Sequence, residues 1–259
     1  MTQQERRLYL IEYLKSEDDR LRDVKIPDDE EAQRKLLRSL MNIRPSKAIS
    51  ADFLKVQDAY LHEETAKKKT VSLTDLSPVK PGLYLWQGDI TSLAADAIVN
   101  AANSALQGCF IPCHGCIDNA IHSAAGIQLR LDCARIMAKQ QRDEQTGGAK
   151  ITKAYNLPCR YILHTVGPII RGALTEKDCK LLAGCYLSCL ELAAVYELKS
   201  IAFCCISTGE FCFPNEKAAE IAVQTVTDYR TKNQNAPEVV FNVYKDIDYE
   251  IYKRLLWAD

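Results

Sequence analysis

The first 75 residues contain no glycine and no cysteine, and only two prolines, Pro27 and Pro45. A stretch so poor in turn-formers and so rich in Lys, Arg, Asp and Glu predicts helices. The chain also lacks a basic surplus: its net charge is −1. A protein that holds nucleic acid by its phosphates carries a positive excess, so this balance argues against such a partner. The opening "MTQQERRLYL" has no apolar core of signal-peptide length, and no stretch is long enough to span a membrane. Repeats and low-complexity tracts are missing too. Eleven cysteines in 259 residues are many, but an odd number at irregular spacing is no disulfide framework. These absences place the chain in the cytoplasm, without a membrane partner and with its thiols reduced and available to a metal.

What is present is ordinary globular composition, 47% hydrophobic and 26% charged, enough for one large domain or a domain with an extension. In "RRLYLIEYLKSE" apolar residues at 8, 10, 11 and 14 approach a helical stripe. "PDDEEAQRKLLRSLMNIRP" opens with Pro27 and acids and ends in Arg and Pro, which are helix start and stop signals. "ISADFLKVQDAYLHEETAKK" has Ser50 as its N-cap. Residues 1–75 therefore read as a helical extension docked on residues 76–259, outside any ligand contact. "KKKTVSLTDLSPVKPG" reads as a linker.

From residue 82 strands and helices alternate. "GLYLWQGDIT", "ADAIVNAAN", "RYILHTVGP", "KSIAFCCISTGEF" and "EVVFNVYK" read as strands. "CIDNAIHSAAGIQLRLDCARIMAKQQ", broken at Gly126, "DCKLLAGCYLSCLELAAVYEL" and "NEKAAEIAVQTVTDYR" read as helices. This alternation predicts an α/β layered sheet with sites at the strand ends. Cys133, Cys185, Cys189, Cys204 and Cys205 sit in apolar runs and read as small buried hydrophobes. Three polar loops follow strands. The one holding Ser207, Thr208 and Gly209 precedes a helix and can offer backbone N–H groups to a phosphate without net positive charge.

Taken in order, "GDIT", "VNAAN", "CIDNAIHSAAG", "KAYNLPCRYILHTVGP" and "STGEFCFP" resemble the macrodomain family of ADP-ribose-binding modules, over about residues 82 to 245. The resemblance implies a three-layer α/β/α fold with a mixed central sheet, preceded here by the helical extension. It implies that Asp89 takes the adenine amino group with Ile90 beside it. Asn103 would meet the distal ribose, with Cys116, Ile117 and Asp118 also against the ligand. The loop Ser207, Thr208, Gly209, Glu210, Phe211 would wrap the diphosphate, Phe211 lying near the distal ribose. Two departures stand out. Where many ADP-ribose-removing members have a glycine run, this chain has "GCFIPCHGC", and Cys212 takes the place of a second loop glycine. The first departure, with the extension, resembles the zinc-containing branch, whose members resemble hydrolases that remove mono-ADP-ribose from proteins.

Zinc prefers sulfur and imidazole nitrogen. In an extended loop, residues two apart face the same way, so His114 and Cys116 can close on one ion while Cys113 points away. Cys109 can return as third ligand, and the branch's Cys-x4-His-x-Cys pattern falls on these three positions. Cys113 and Cys116 also form a C-x-x-C, but without a thioredoxin-like context. His122 reads as structural. Asp118 is either a helix-dipole partner in a first turn or, by the resemblance, a group acting near the scissile bond with Asn103. Two functions remain open. The first is a zinc-dependent hydrolase that takes mono-ADP-ribose off protein side chains, the acidic Asp- or Glu-linked ones foremost. The second is a non-catalytic ADP-ribose reader with a structural zinc. Three ligands favour the enzyme; a fourth from Cys113 would favour the reader.

Overall fold

The computed structural model describes residues 1–257. Three helices open the chain: α1 (Gln3–Ser16), α2 (Glu30–Ile43) and α3 (Ala51–Lys67). Each starts on a residue whose side chain accepts a first-turn amide: Thr2 from Glu5, Asp29 from Ala32, and Ser50 from Phe53, as the sequence predicts for Ser50. Their apolar faces meet in a cluster of Leu10, Ile11, Leu14, Leu37, Leu40 and Phe53, closed by Ile127 from the following body. Burying each such side chain stabilises by roughly 1.5–3 kcal/mol, so docking of the helices is driven by a core of their own.

The rest of the chain runs β1 (Val71–Ser72), β2 (Leu83–Gln87), β3 (Leu93–Ala94), β4 (Ala97–Ala101), α4 (Ile117–Ala125), α5 (Ile127–Gln140), β5 (Ala149–Lys153), β6 (Tyr161–Thr165), α6 (Glu176–Val195), β7 (Ser200–Phe203), α7 (Asn215–Lys232), β8 (Glu238–Val243) and α8 (Asp246–Trp257). Six strands form one sheet in the order β2-β8-β7-β4-β6-β5. All neighbours are parallel except the edge strand β5, which runs antiparallel to β6. Helices α6, α7 and α8 pack on one another, and α4 pairs with α5 beneath the N-terminal helices, giving three layers. β4, β7 and β8 are near-continuous apolar runs because a strand covered on both faces has no solvent side to alternate with.

The strand and helix assignments from the sequence agree with these elements, with three differences. The "linker" contains β1, which pairs in parallel with β3 through Val71↔Leu93 and so ties the extension to the sheet body. β5 has little apolar patterning and is held by its partner β6, through pairs such as Ile151↔Leu163. α8 is charge-rich, yet buries Tyr252 and Leu256. No helix among the described residues is long and apolar enough to cross a membrane.

Gly126 ends α4 and starts α5 at φ +97, ψ 176, a region essentially restricted to glycine. A Cβ there would come within 2.6 Å of Gln57 Nε2, the α3 side chain whose Oε1 accepts the Ile127 amide. Gly126→Ala is expected to lower stability by about 1–3 kcal/mol, read as a shifted urea midpoint at unchanged slope.

Candidate functional site

Parallel pairing sends the carboxyl ends of β2, β4, β6, β7 and β8 to one edge of the sheet. There Asp89, Asn103, Gly167, Ser207 and Tyr244 line a cleft of about 830 Å³. Sites of this kind form where the strand ends open outward. At one end Asp89 caps a short turn. Its Oδ1 accepts from the Thr91 amide and hydroxyl, and its Oδ2 accepts from Lys68 Nζ at 2.9 Å. Against the effect of burial, Lys68 and Thr91 hold this carboxyl below its ordinary value. Ile90 is buried beside it.

The loop between β7 and α7 forms the middle of the cleft with Ser207, Thr208, Gly209, Glu210 and Phe211. Ser207 Oγ is buried and has no hydrogen-bond partner among the described residues. Among those residues, the amides of 209–211 donate to no other backbone carbonyl. A loop with donors to spare suits an anion. Ser207 and Cys212 both take positive φ, 66° and 55°, so the cysteine occupies a backbone shape that glycine adopts without strain.

At the other end the sequence motif closes into a cluster. The ligand atoms of Cys109, His114 and Cys116 lie within 4.8 Å of one another, and all three residues line the cleft. The donor set, two sulfurs and an imidazole, fits zinc chemically. Burial, reinforced by Cys109, pushes the Cys116 thiol up to about 11, although the Asn119 amide at the start of α4 opposes this. A cation would lower it, since a coordinating thiol gives up its proton. Cys113 takes no part. Its Sγ lies 3.2 Å from Ser39 Oγ and faces α2.

Beside the cluster, Ile117 and Asp118 open α4. Asp118 is 5% exposed. Its Oδ1 accepts from Asn100 Nδ2 at 2.8 Å, and Asn103 Nδ2 stands 3.4 Å from Oδ2. Burial raises this carboxyl to about 6, against the Asn100 donor. A carboxylate only accepts, so the Asn100 amide must point its NH2 here, and the same NH2 reaches His164 Nδ1 at 3.1 Å. The His164 proton is therefore on Nε2, 2.9 Å from Thr152 Oγ1. His122, Cys133 and His164 also converge within 4.8 Å. Both His164 nitrogens are already engaged, so this buried group is no open ligand set.

Every residue that the sequence singles out for a site thus reaches one cleft. Sequence reasoning missed Tyr244, which lines the cleft at the end of β8 and is 78% exposed. A large aromatic just past a buried strand was the available signal. It also missed Arg38, which lines the cleft from α2, and Lys68 on Asp89. Two cations of the extension therefore adjoin the site, Arg38 as part of the cleft lining and Lys68 as a partner of Asp89. Nothing in the sequence around them marks them, because their partners lie far along the chain.

The family profile described as Macro domain matches residues 99–222. A protein-ADP-ribose hydrolase of Treponema medium is 57% identical, covering 99% of this chain and all of its own. The Trypanosoma brucei macrodomain solved in complex with ADP-ribose is 31% identical, with a TM-score of 0.67, over 84% of this chain and 94% of that one. The Oceanobacillus iheyensis macrodomain with ADP is 39% identical, with a TM-score of 0.62, over 67% and 89%.

Burial lowers the His164 pKa from 6.5 to about 3. Protons therefore bind the unfolded chain first, and this group's share of stability is lost as pH falls from 6.5 toward 3. Nitrogen-resolved NMR is expected to show His164 as the Nε2–H tautomer, without titration from about pH 8 to about pH 5. Titration near the ordinary histidine value would contradict the Asn100–His164 contact.

Proposed function

The chain belongs to the macrodomain family, and from that premise we propose that it is a protein-ADP-ribose hydrolase that uses zinc to release mono-ADP-ribose from acidic side chains. The observation that carries the reading is the meeting of Cys109, His114 and Cys116 with Asn103 and Asp118 at one end of a single cleft. In this reading residues 76–259 are the macrodomain and residues 1–75 its helical extension. The odd number and irregular spacing of the eleven cysteines support a cytoplasmic setting.

Bound ADP-ribose would run the length of the cleft. Asp89 accepts from the adenine amino group, with Ile90 beside the ring. The amides of residues 209–211 and the unpaired Ser207 hydroxyl take the diphosphate, while Phe211 borders the distal ribose. Asn103 and Asp118 orient that ribose. Asp118 Oδ2 has only the long Asn103 contact among the described residues, so it can accept from a ribose hydroxyl. Ile117 and Cys116 form the wall behind it. Cys109, His114 and Cys116 would hold zinc, which when bound supplies Lewis acidity to a ribose hydroxyl, a water or the leaving carboxylate. A reader with a structural zinc would use four protein ligands. The fourth candidate, Cys113, hydrogen-bonds toward α2 instead, so the enzyme reading is the stronger one.

Asp89→Ala leaves the adenine amino group without its acceptor, a loss of about 1–3 kcal/mol. Calorimetry with free ADP-ribose should show that weakening; unchanged affinity would remove Asp89 from the site. The metal is tested by zinc analysis and turnover of aspartyl-, glutamyl- and serine-linked mono-ADP-ribosylated proteins, with and without a strong chelator. Ala at Cys109, His114 or Cys116 is expected to lower zinc content and turnover together, and Cys113→Ala to leave both largely intact. Full turnover in a zinc-free variant would end the catalytic role.

A further inference from the structure

The loop 108–116 has no regular secondary structure of its own. Three donor atoms on such a loop stay converged only if something outside it holds both of its legs. α2 does so, on a face formed by Lys35, Arg38, Ser39 and Asn42, at helical spacing. On the second leg, Arg38 Nη2 donates to the His114 carbonyl at 3.0 Å. The same nitrogen and Nε both donate to Asn119 Oδ1, at 2.6 and 3.0 Å. With its oxygen fixed, Asn119 turns Nδ2 onto the Ile111 carbonyl at 2.9 Å; its backbone amide, set by α4, separately caps Cys116 Sγ at 3.4 Å. Asn42 Oδ1 accepts the Cys113 amide, the Cys113 thiol donates to the Lys35 carbonyl, and Ser39 Oγ lies 3.2 Å from the sulfur. On the first leg, Arg130 donates to the Gln107 carbonyl and to the carbonyls of Met41, Asn42 and Arg44 at the end of α2. Its guanidinium also lies 4.2 Å over the Phe110 ring, next to Cys109.

We propose that Arg38 is a positioning residue for the metal loop, and that α2 is thereby a working part of the site and not a detachable extension; this rests on the zinc reading above. The guanidinium is matched to the task because its fork reaches two acceptors at fixed angles. A lysine ammonium at the same place is a point donor and cannot reproduce both. Arg38 touches the His114 backbone directly and the Ile111 carbonyl through the Asn119 side chain, so the stretch that carries the His114 donor depends on it. Outer partners of this kind typically change metal affinity by about 10–100-fold when removed.

The test measures zinc affinity by chelator competition, and the visible spectrum of the cobalt-loaded protein, for the full chain and three variants. Arg38→Gln is expected to weaken zinc at least about tenfold and to change the cobalt bands, which report ligand geometry. Arg38→Lys should fall between it and the wild type. Arg34→Gln is the control, since Arg34 pairs with Glu30 and Glu64 within the N-terminal helices and touches no part of the loop. It should lose helix-packing stability without losing zinc affinity. Wild-type zinc affinity in Arg38→Gln would overturn the inference, and so would equal loss in Arg34→Gln, which would show general loosening of the helices. A wild-type protein that binds no zinc would overturn the metal reading itself, an outcome distinct from either.

Discussion

Parallel pairing of β2, β8, β7, β4 and β6 is the constraint on which the rest depends. Parallel strands place every carboxyl end on the same edge, so loops far apart in sequence emerge side by side. Asp89, Asn103, Ser207 and Tyr244 share a cleft for that reason alone. The same pairing leaves β4 buried on both faces, which brings Asn100 inside the sheet body with no exposure to water. A buried amide must find partners, and it finds Asp118 and His164.

That polar chain links the site to the core. Asp118 stands at the start of α4 with its carboxylate turned inward, toward Asn100 and Asn103, where burial raises its proton affinity. It is not the solvated first-turn acid that a helix-dipole role alone would need. His164 is locked neutral between Asn100 and Thr152, so the support of Asp118 does not change charge near neutral pH. One group with raised proton affinity is thus held by groups that stay constant.

The N-terminal helices change the meaning of the domain boundary. Their apolar core is largely their own, which is how a docked extension looks. Their polar side is different: Arg38 and Asn42 of α2 bond to the loop 108–116 and to α4, and Lys68, just past α3, bonds to Asp89.

The sequence by itself determined the alternation of strands and helices, the break at Gly126 and the Ser50 cap, because apolar periodicity, glycine and capping are local properties. It also made the strand-end motifs and the Cys109, His114, Cys116 spacing legible, since residue type and short-range alternation carry them. Local pattern was too weak for β5, whose edge position supplies its order through β6, and for α8, whose charges hide a buried stripe of Tyr252 and Leu256. Tertiary structure alone decided that Cys113 faces Ser39, that Lys68 reaches Asp89, and that Arg38 grips the His114 carbonyl. Each of those contacts joins residues 21 to 76 positions apart. No periodicity within a helix records a partner that only the packing of the whole chain brings near.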